Sequence, residues 1–338
     1  MDINLIEKLC LINGTSGDEK SVRESLISLL PADCEYTVDA LGNLIVNKKG
    51  KRAPKNKVAL FAHMDEVGFI VTYITDDGYV RVAPVGGMDE SALFGKRVTV
   101  NGINGVAGGK ATHQCEGDEG KKIPKITDMT LDFGFENKAQ AEEKVALGDF
   151  VYFKSDFVCF GDGFVKSKAL DDRIGAAVLI NILNEESDFD YTCVFTVQEE
   201  IGTRGATVSA YTVKPDYAVV VETTTASDIA DTPDHKKVCK VGNGAVVSFM
   251  DRGTLYDREL YKKAFETAGK NGIPCQTKTV VAGGNDASAI HKTAGGIKTV
   301  AVSVPCRYIH SPSSVCSEKD IDSVEQLTKA LLAELADA

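Results

Sequence analysis

Tryptophan is absent from this 338-residue chain, as are long apolar runs, closely paired cysteines and an excess of basic charge. The missing tryptophan says nothing about function. Apolar runs stop at about five to seven residues, far short of the roughly 20 that a membrane-spanning helix needs, so no membrane partner is expected. Lysine and arginine number 38 against 49 aspartates and glutamates, a net charge of −11. A nucleic-acid partner normally calls for a basic face, so none is expected either. The nine cysteines are an odd count with no C-x-x-C spacing, and reduced thiols in a cytoplasm are the simplest reading. The start, Met1-Asp2-Ile3-Asn4, has neither the basic nor the apolar region of a signal peptide. There is no internal repeat and no G-x-x-x-x-G-K-[ST] phosphate loop. A G-x-S-x-G elbow is missing too, which leaves a serine hydrolase with little support.

What is present reads as α/β. The length suits two domains and a sizeable core. Amphipathic helices are expected over 2–13 and 18–30, a turn then strand over 41–46, a basic, proline-containing loop over 48–57, and a buried strand at Val58–Ala62. From about 67 to 160 the texture changes to short strands punctuated by glycine. An exposed basic loop is expected there at Lys121–Ile126 and a short helix at Asn137–Lys144. Alternating helices (172–184, 203–210, 257–271, 320–336) and strands (191–197, 217–221, 299–304) then follow. The expected organisation is a catalytic domain of 1–66 and 161–338, a mixed sheet flanked by helices, with a small β-rich domain inserted at 67–160.

Five segments carry metal-type ligands where an apolar run stops or starts: His63-Met64-Asp65-Glu66, Asp171-Asp172, Glu199-Glu200, Glu222 and His310. Four follow strand-like runs (Val58–Ala62, Thr192–Val197, Ala218–Val221, Thr299–Val304), and Asp171 opens a helix-like one. Ligands of open α/β sheets gather at the carboxyl ends of strands. Two imidazoles and several carboxylates there suit a pair of divalent cations. Asp171, a short carboxylate at a helix start, suits the bridging position. His63 and Glu222 could complete one ion, Glu200 and His310 the other. Asp65 could accept the second imidazole N–H of His63. Of the adjacent Glu199 and Glu200, one would ligate and the other act as base, provided the strand has already turned. Taken singly, H-x-D is more often a hydrogen-bonded pair, Glu-Glu a solvated helix start and Asp-Asp an N-cap pair. Five together argue for one site. His113, His235 and His291 lack this placement and read as surface or structural. Gly283-Gly284-Asn285-Asp286-Ala287 reads either as a close approach to substrate or as an ordinary turn.

These motifs are familiar in combination. The stretches 62–68, 168–175, 197–206, 283–287 and 307–312 resemble the tetrahedral (TET-like) aminopeptidases, the glutamyl, leucyl and deblocking family of co-catalytic zinc peptidases. The resemblance implies a zinc-exopeptidase-like fold and peptide substrates with a free N-terminus. It implies two divalent metal ions, Zn²⁺ or Co²⁺ first and Mn²⁺ as a further choice. One ion would be held by His63, Asp171 and Glu222, the other by Asp171, Glu200 and His310. Glu199 would be the general base and Asp65 the partner of His63. The family usually has Asp at the position of Glu222, so the longer side chain alters the reach there. Relatives in the wider clan carry a cis peptide after the bridging Asp, which places one at Asp171–Asp172. The inserted domain would build dimers that assemble into a homo-oligomeric dodecamer.

Two other functions fit part of this pattern. A dimetal N-acyl amino acid deacylase would prefer substrates without a free amine. A catalytically inert, metal-stabilised scaffold would have no use for Glu199. A glycosidase could use the carboxylates as an acid/base pair, but two strand-end histidines would be superfluous.

Overall fold

The computed structural model describes residues 2–117 and 119–338. An eight-stranded sheet carries the fold, in the order Cys34–Val38, Leu44–Lys48, Tyr191–Thr196, Val58–His63, Tyr217–Thr225, Lys298–Cys306, Ala245–Ser248, Cys275–Lys278. The four central strands, Tyr191–Thr196 to Lys298–Cys306, run parallel. Antiparallel neighbours join at both sides, Leu44–Lys48 and Ala245–Ser248. Parallel strands are covered on both faces and so read as continuous apolar runs. In Val58–His63 every residue is buried. Val58, Leu60 and Ala62 enter a core shared with the helices Leu170–Leu183 and Glu318–Ala336. Ala59 and Phe61 face the opposite core, against Arg204–Val213 and Ala287–Ile290. Burying Leu60 or Phe61 contributes roughly 1.5–3 kcal/mol each. No helix among the described residues is long and apolar enough to cross a membrane.

Between the first and second halves of this sheet lies a closed six-stranded barrel, all of whose strands fall between Gly68 and Phe153. Its own core holds Phe69, Phe153, Val82, Val98, Leu131 and their neighbours. The barrel ends short of the expected 160, because Val158–Phe160 pairs instead with Phe164–Ser167 and, beyond it, Ser314–Ser317. Ile126, expected in an exposed loop, is buried in the barrel core, while Lys121–Ile123 are exposed. Tyr152 seats the barrel on the larger unit by donating its hydroxyl to Asp18.

Helix ends were the least legible feature. The first two helices are Ile3–Leu11 and Lys20–Ile27, each shorter than their patterns suggested. Asp2 caps the first by accepting from Asn4 N–H. The strand expected over 217–221 runs on to Thr225, where it stays paired with Cys306.

Candidate metal centre

All five ligand segments meet at the carboxyl edge of the central strands. His63 ends its strand, where it pairs with Thr196. Glu222 lies inside Tyr217–Thr225, paired with Ser303. His310 follows Lys298–Cys306, at φ 61°. Asp171 lies in the first turn of Leu170–Leu183 with non-helical torsions, and the Asp171–Asp172 peptide is cis.

The turn after Thr196 brings Glu199 and Glu200 to the same site. Gln198 adopts φ 56°, so the alternation of a strand no longer applies. The Asp65 carboxylate then accepts the backbone N–H of Glu199 (3.0 Å) and of Glu200 (3.1 Å), together with the Ser16 hydroxyl (2.6 Å). Asn43 braces the far side, accepting from Val197 N–H (3.0 Å) and donating to Gly205 O (3.1 Å). The role expected for Asp65 therefore shifts. His63 Nδ1 lies 2.9 Å from the Asp65 main-chain oxygen and 3.5 Å from its carboxylate.

Both histidines are oriented alike. His310 Nδ1 meets the carbonyl of Gly87, a barrel residue, at 2.6 Å. With each Nδ1 on a carbonyl, each Nε2 is free to face carboxylates, as in metal-ligating histidines. His63 Nε2 is 3.4 Å from Asp171 Oδ1 and 3.7 Å from Glu222 Oε2. His310 Nε2 is 3.1 Å from Asp171 Oδ2 and 3.3 Å from Glu200 Oε2. Two trios with ligand atoms within 4.8 Å of one another thus share Asp171: His63–Asp171–Glu222 and Asp171–Glu200–His310. A third trio of the same spacing, His63–Glu199–Glu200, overlaps them.

Electrostatically these groups need cations. Burial, with like charge from its neighbours, lifts Glu199 and Glu222 well above the usual carboxylate range, against the pull of His63. Burial raises Glu200 to about 8. For Asp171 burial is outweighed by its hydrogen bond with His310 and by the nearby His63, which hold it below the ordinary value. Burial would lower both histidines, but Glu222, Asp171 and Asp65 raise His63, and Asp171 and Glu200 bring His310 to about 9. Asp171 Oδ1, Glu200 Oε1 and Glu222 Oε1 are buried without a hydrogen-bond partner. Orphaned buried oxygens are rare in stable folds. Two hard or borderline cations in the two trios would satisfy all three, so the residues fit a dimetal group.

A cavity of about 120 Å³ opens beside the first trio, lined by His63, Glu199, Glu222, Lys278, Gly283–Asn285 and His310. Glycines 283 and 284 thus border the cavity, and Asp286 is buried with Thr196 donating to it at 2.5 Å. Ser16, Gly87 and Lys278 escaped the sequence reading, since nothing local marks them. The other three histidines join no ligand trio among the described residues. His291 is engaged with Ala287 O at 2.7 Å.

A family model described as M42 glutamyl aminopeptidase matches residues 42–327. The lysyl aminopeptidase of Pyrococcus furiosus is 34% identical over 99% of this chain and 98% of its own length. The solved aminopeptidase APDkam598 of the archaeon Desulfurococcus kamchatkensis superposes with a TM-score of 0.93 at 33% identity, covering 98% of this chain and 94% of that one. The Pyrococcus horikoshii TET1 peptidase, described as able to assemble into a tetrahedron or a large octahedral shell, gives 0.86 at 35% identity, covering 97% and 98%.

Proposed function

Since the chain belongs to the M42 aminopeptidase family, and so hydrolyses the N-terminal residue of its substrates, we propose that it does so with two divalent cations and Glu199 as base. One cation would be held by His63, Asp171 and Glu222, the other by Asp171, Glu200 and His310. The two trios sharing one carboxylate are the observation that carries this reading. Bound there, the ions would supply Lewis acidity, polarising a carbonyl and acidifying water. Zn²⁺ or Co²⁺ suits the mixed imidazole and carboxylate set, with Mn²⁺ next.

The chain's own residues do the rest. Glu199 faces the cavity and takes a proton from the attacking water, then returns it to the departing amine. Burial raises its carboxyl well above the usual carboxylate range, which helps it hold the proton it takes. Asp65 fixes the backbone of Glu199 and Glu200 and so keeps base and ligand apart. Gly87 O holds His310 in the tautomer that presents Nε2. The acidic surroundings favour the protonated α-amine of a peptide with a free N-terminus, which makes the enzyme an exopeptidase.

The barrel, whose strands lie between Gly68 and Phe153, is read as the dimerisation and assembly domain, by likeness to the assembling TET1 peptidase. Dimers building a dodecamer are the form we infer. All nine cysteines are free, which suits a cytoplasmic setting. Glu199→Gln keeps the shape and the ligand set while removing the base. Turnover should fall by about 10²-fold or more with metal content unchanged, as read by kinetics and elemental analysis. Full activity in a metal-replete Glu199→Gln protein would refute the role.

A further inference from the structure

Three of the free cysteines gather behind the metal centre. Cys10, Cys306 and Cys316 are fully buried in the same core, close enough for the charge of one to act on another. Cys10 donates its thiol to Ala169 O at 3.7 Å, just before the shared Asp171. Cys306 ends the strand Lys298–Cys306, and Cys316 lies inside Ser314–Ser317. Between those two runs the loop that carries His310. Its base is a single antiparallel pair, Arg307 with Val315, which exchange both N–H···O bonds at 2.9 Å each. One step along, the same register sets Cys306 directly opposite Cys316. Beside a doubly bonded pair comes the narrow, unbonded one, whose Cα atoms stand ~4.5 Å apart with side chains on one face. That spacing falls within the roughly 4.4–6.8 Å that a disulfide spans. Arg307 leaves on the other face, where its guanidinium pairs with Asp228 at 2.7 Å.

We propose that Cys306 and Cys316 are an oxidative modification site, at which hydrogen peroxide forms a reversible disulfide that closes residues 306–316 into a ring holding the His310 loop. The first thiol attacks the peroxide: its sulfur gains one oxygen as the O–O bond breaks, and its proton leaves with the other oxygen as water. The second sulfur then attacks the resulting sulfenic acid, forming S–S and breaking S–O, and its proton completes a second water. Two electrons pass from the thiol pair to the peroxide, so the step balances. Peroxide is little larger than water, which suits a site so buried. Burial first, and then the facing Cys306 thiol, push the Cys316 thiol well above its ordinary range. The thiolate is therefore scarce, and the pair rests reduced until oxidant is in excess. Neither thiol has a part in the metal chemistry, so the proposal stands apart from the mechanism above.

The test exposes the reduced, full-length protein to excess hydrogen peroxide in its native state, then alkylates it in denaturant and digests it with trypsin. Cleavage after Lys298, Arg307 and Lys319 puts the two cysteines on separate peptides, 299–307 and 308–319. Mass spectrometry should find these peptides joined, and separate again after treatment with dithiothreitol. The melting temperature of the oxidised protein should rise by about 3–8 °C and return on reduction, because the ring constrains the unfolded chain. Cys306→Ser should abolish both the joined peptides and the shift, whereas Cys10→Ser should keep them. Should either variant fail to fold, peptide mapping of the wild type decides alone. Free, alkylated Cys306 and Cys316 beside an oxidised, exposed Cys159 would overturn the proposal. So would a bridge from either thiol to Cys10, or sulfinic acid in place of the disulfide.

Discussion

Glu199 and Glu200 are neighbours in the chain to which the proposed mechanism gives different tasks, and the backbone around them brings both to one site. A strand would point them apart. The positive φ of Gln198 and the grip of Asp65 on both amides turn them to one site instead. Metal loading follows from the same electrostatics. At pH 7 the metal-free protein should hold protons on Glu200, raised to about 8, and on His310, raised to about 9. Both must lose them to ligate, as must His63 and Glu222, which are raised too, so binding should release protons and tighten as pH rises towards 9. Calorimetry in buffers of different ionisation heat measures this release. A binding heat that does not depend on the buffer would contradict it. The ligand-type residues were legible because each stands where an apolar run meets a polar one. Ser16, Gly87 and Lys278 were not, since a hydroxyl, a carbonyl and a strand-end ammonium acquire meaning only from residues distant in sequence.

Among the elements, the turn from Thr196 to Arg204 matters most. It is pinned where Gly205 opens the next helix, donating its N–H to Val197 O at 3.0 Å. A Cβ on Gly205 would meet both Asn43 Oδ1 and Val197 O at 2.3 Å. Backbone cannot yield as a flexible side chain can, so Gly205→Ala should cost about 1–3 kcal/mol and displace Glu199 and Glu200. Thermal melting should show the loss, and kcat should fall further than stability alone explains. A variant with wild-type Tm and kcat would show that this turn tolerates movement. The central strands were plain in the sequence because burial on both faces leaves them uniformly apolar. Cys34–Val38 was not, being largely exposed. Ala245–Ser248 and Cys275–Lys278 were also missed, although Gly242-Asn243-Gly244 and Gly272-Ile273-Pro274 stand just before them, because each is four residues long and its pairing is non-local. Barrel strands showed as a change of texture, but closure into a barrel rests on pairings no short window contains.

At the scale of the whole molecule, the barrel and the sheet are not independent. Gly87 O orients His310, and a Cβ on Gly86 would lie 3.2 Å from Glu200 Cβ, so barrel and metal centre share a boundary. The barrel also exposes large apolar side chains, with Val106 at 49% and Ile123 at 50%. On the proposed reading of the barrel as the assembly domain, these side chains are the candidates for its interface, since contiguous apolar surface marks interaction sites. Val106→Asp combined with Ile123→Asp should lower the assembled mass seen by light scattering, while the monomer keeps its fold by circular dichroism. An unchanged mass would move the interface elsewhere. The chemistry itself is tested by loading the protein with Zn²⁺ or Co²⁺ and offering chromogenic aminoacyl amides with free and with acetylated amines, before and after chelation and metal add-back. Cleavage of the free-amine series alone, abolished by chelator and restored by metal, is the expected result. Cleavage confined to acetylated substrates, or cleavage indifferent to chelation, would contradict a two-cation aminopeptidase.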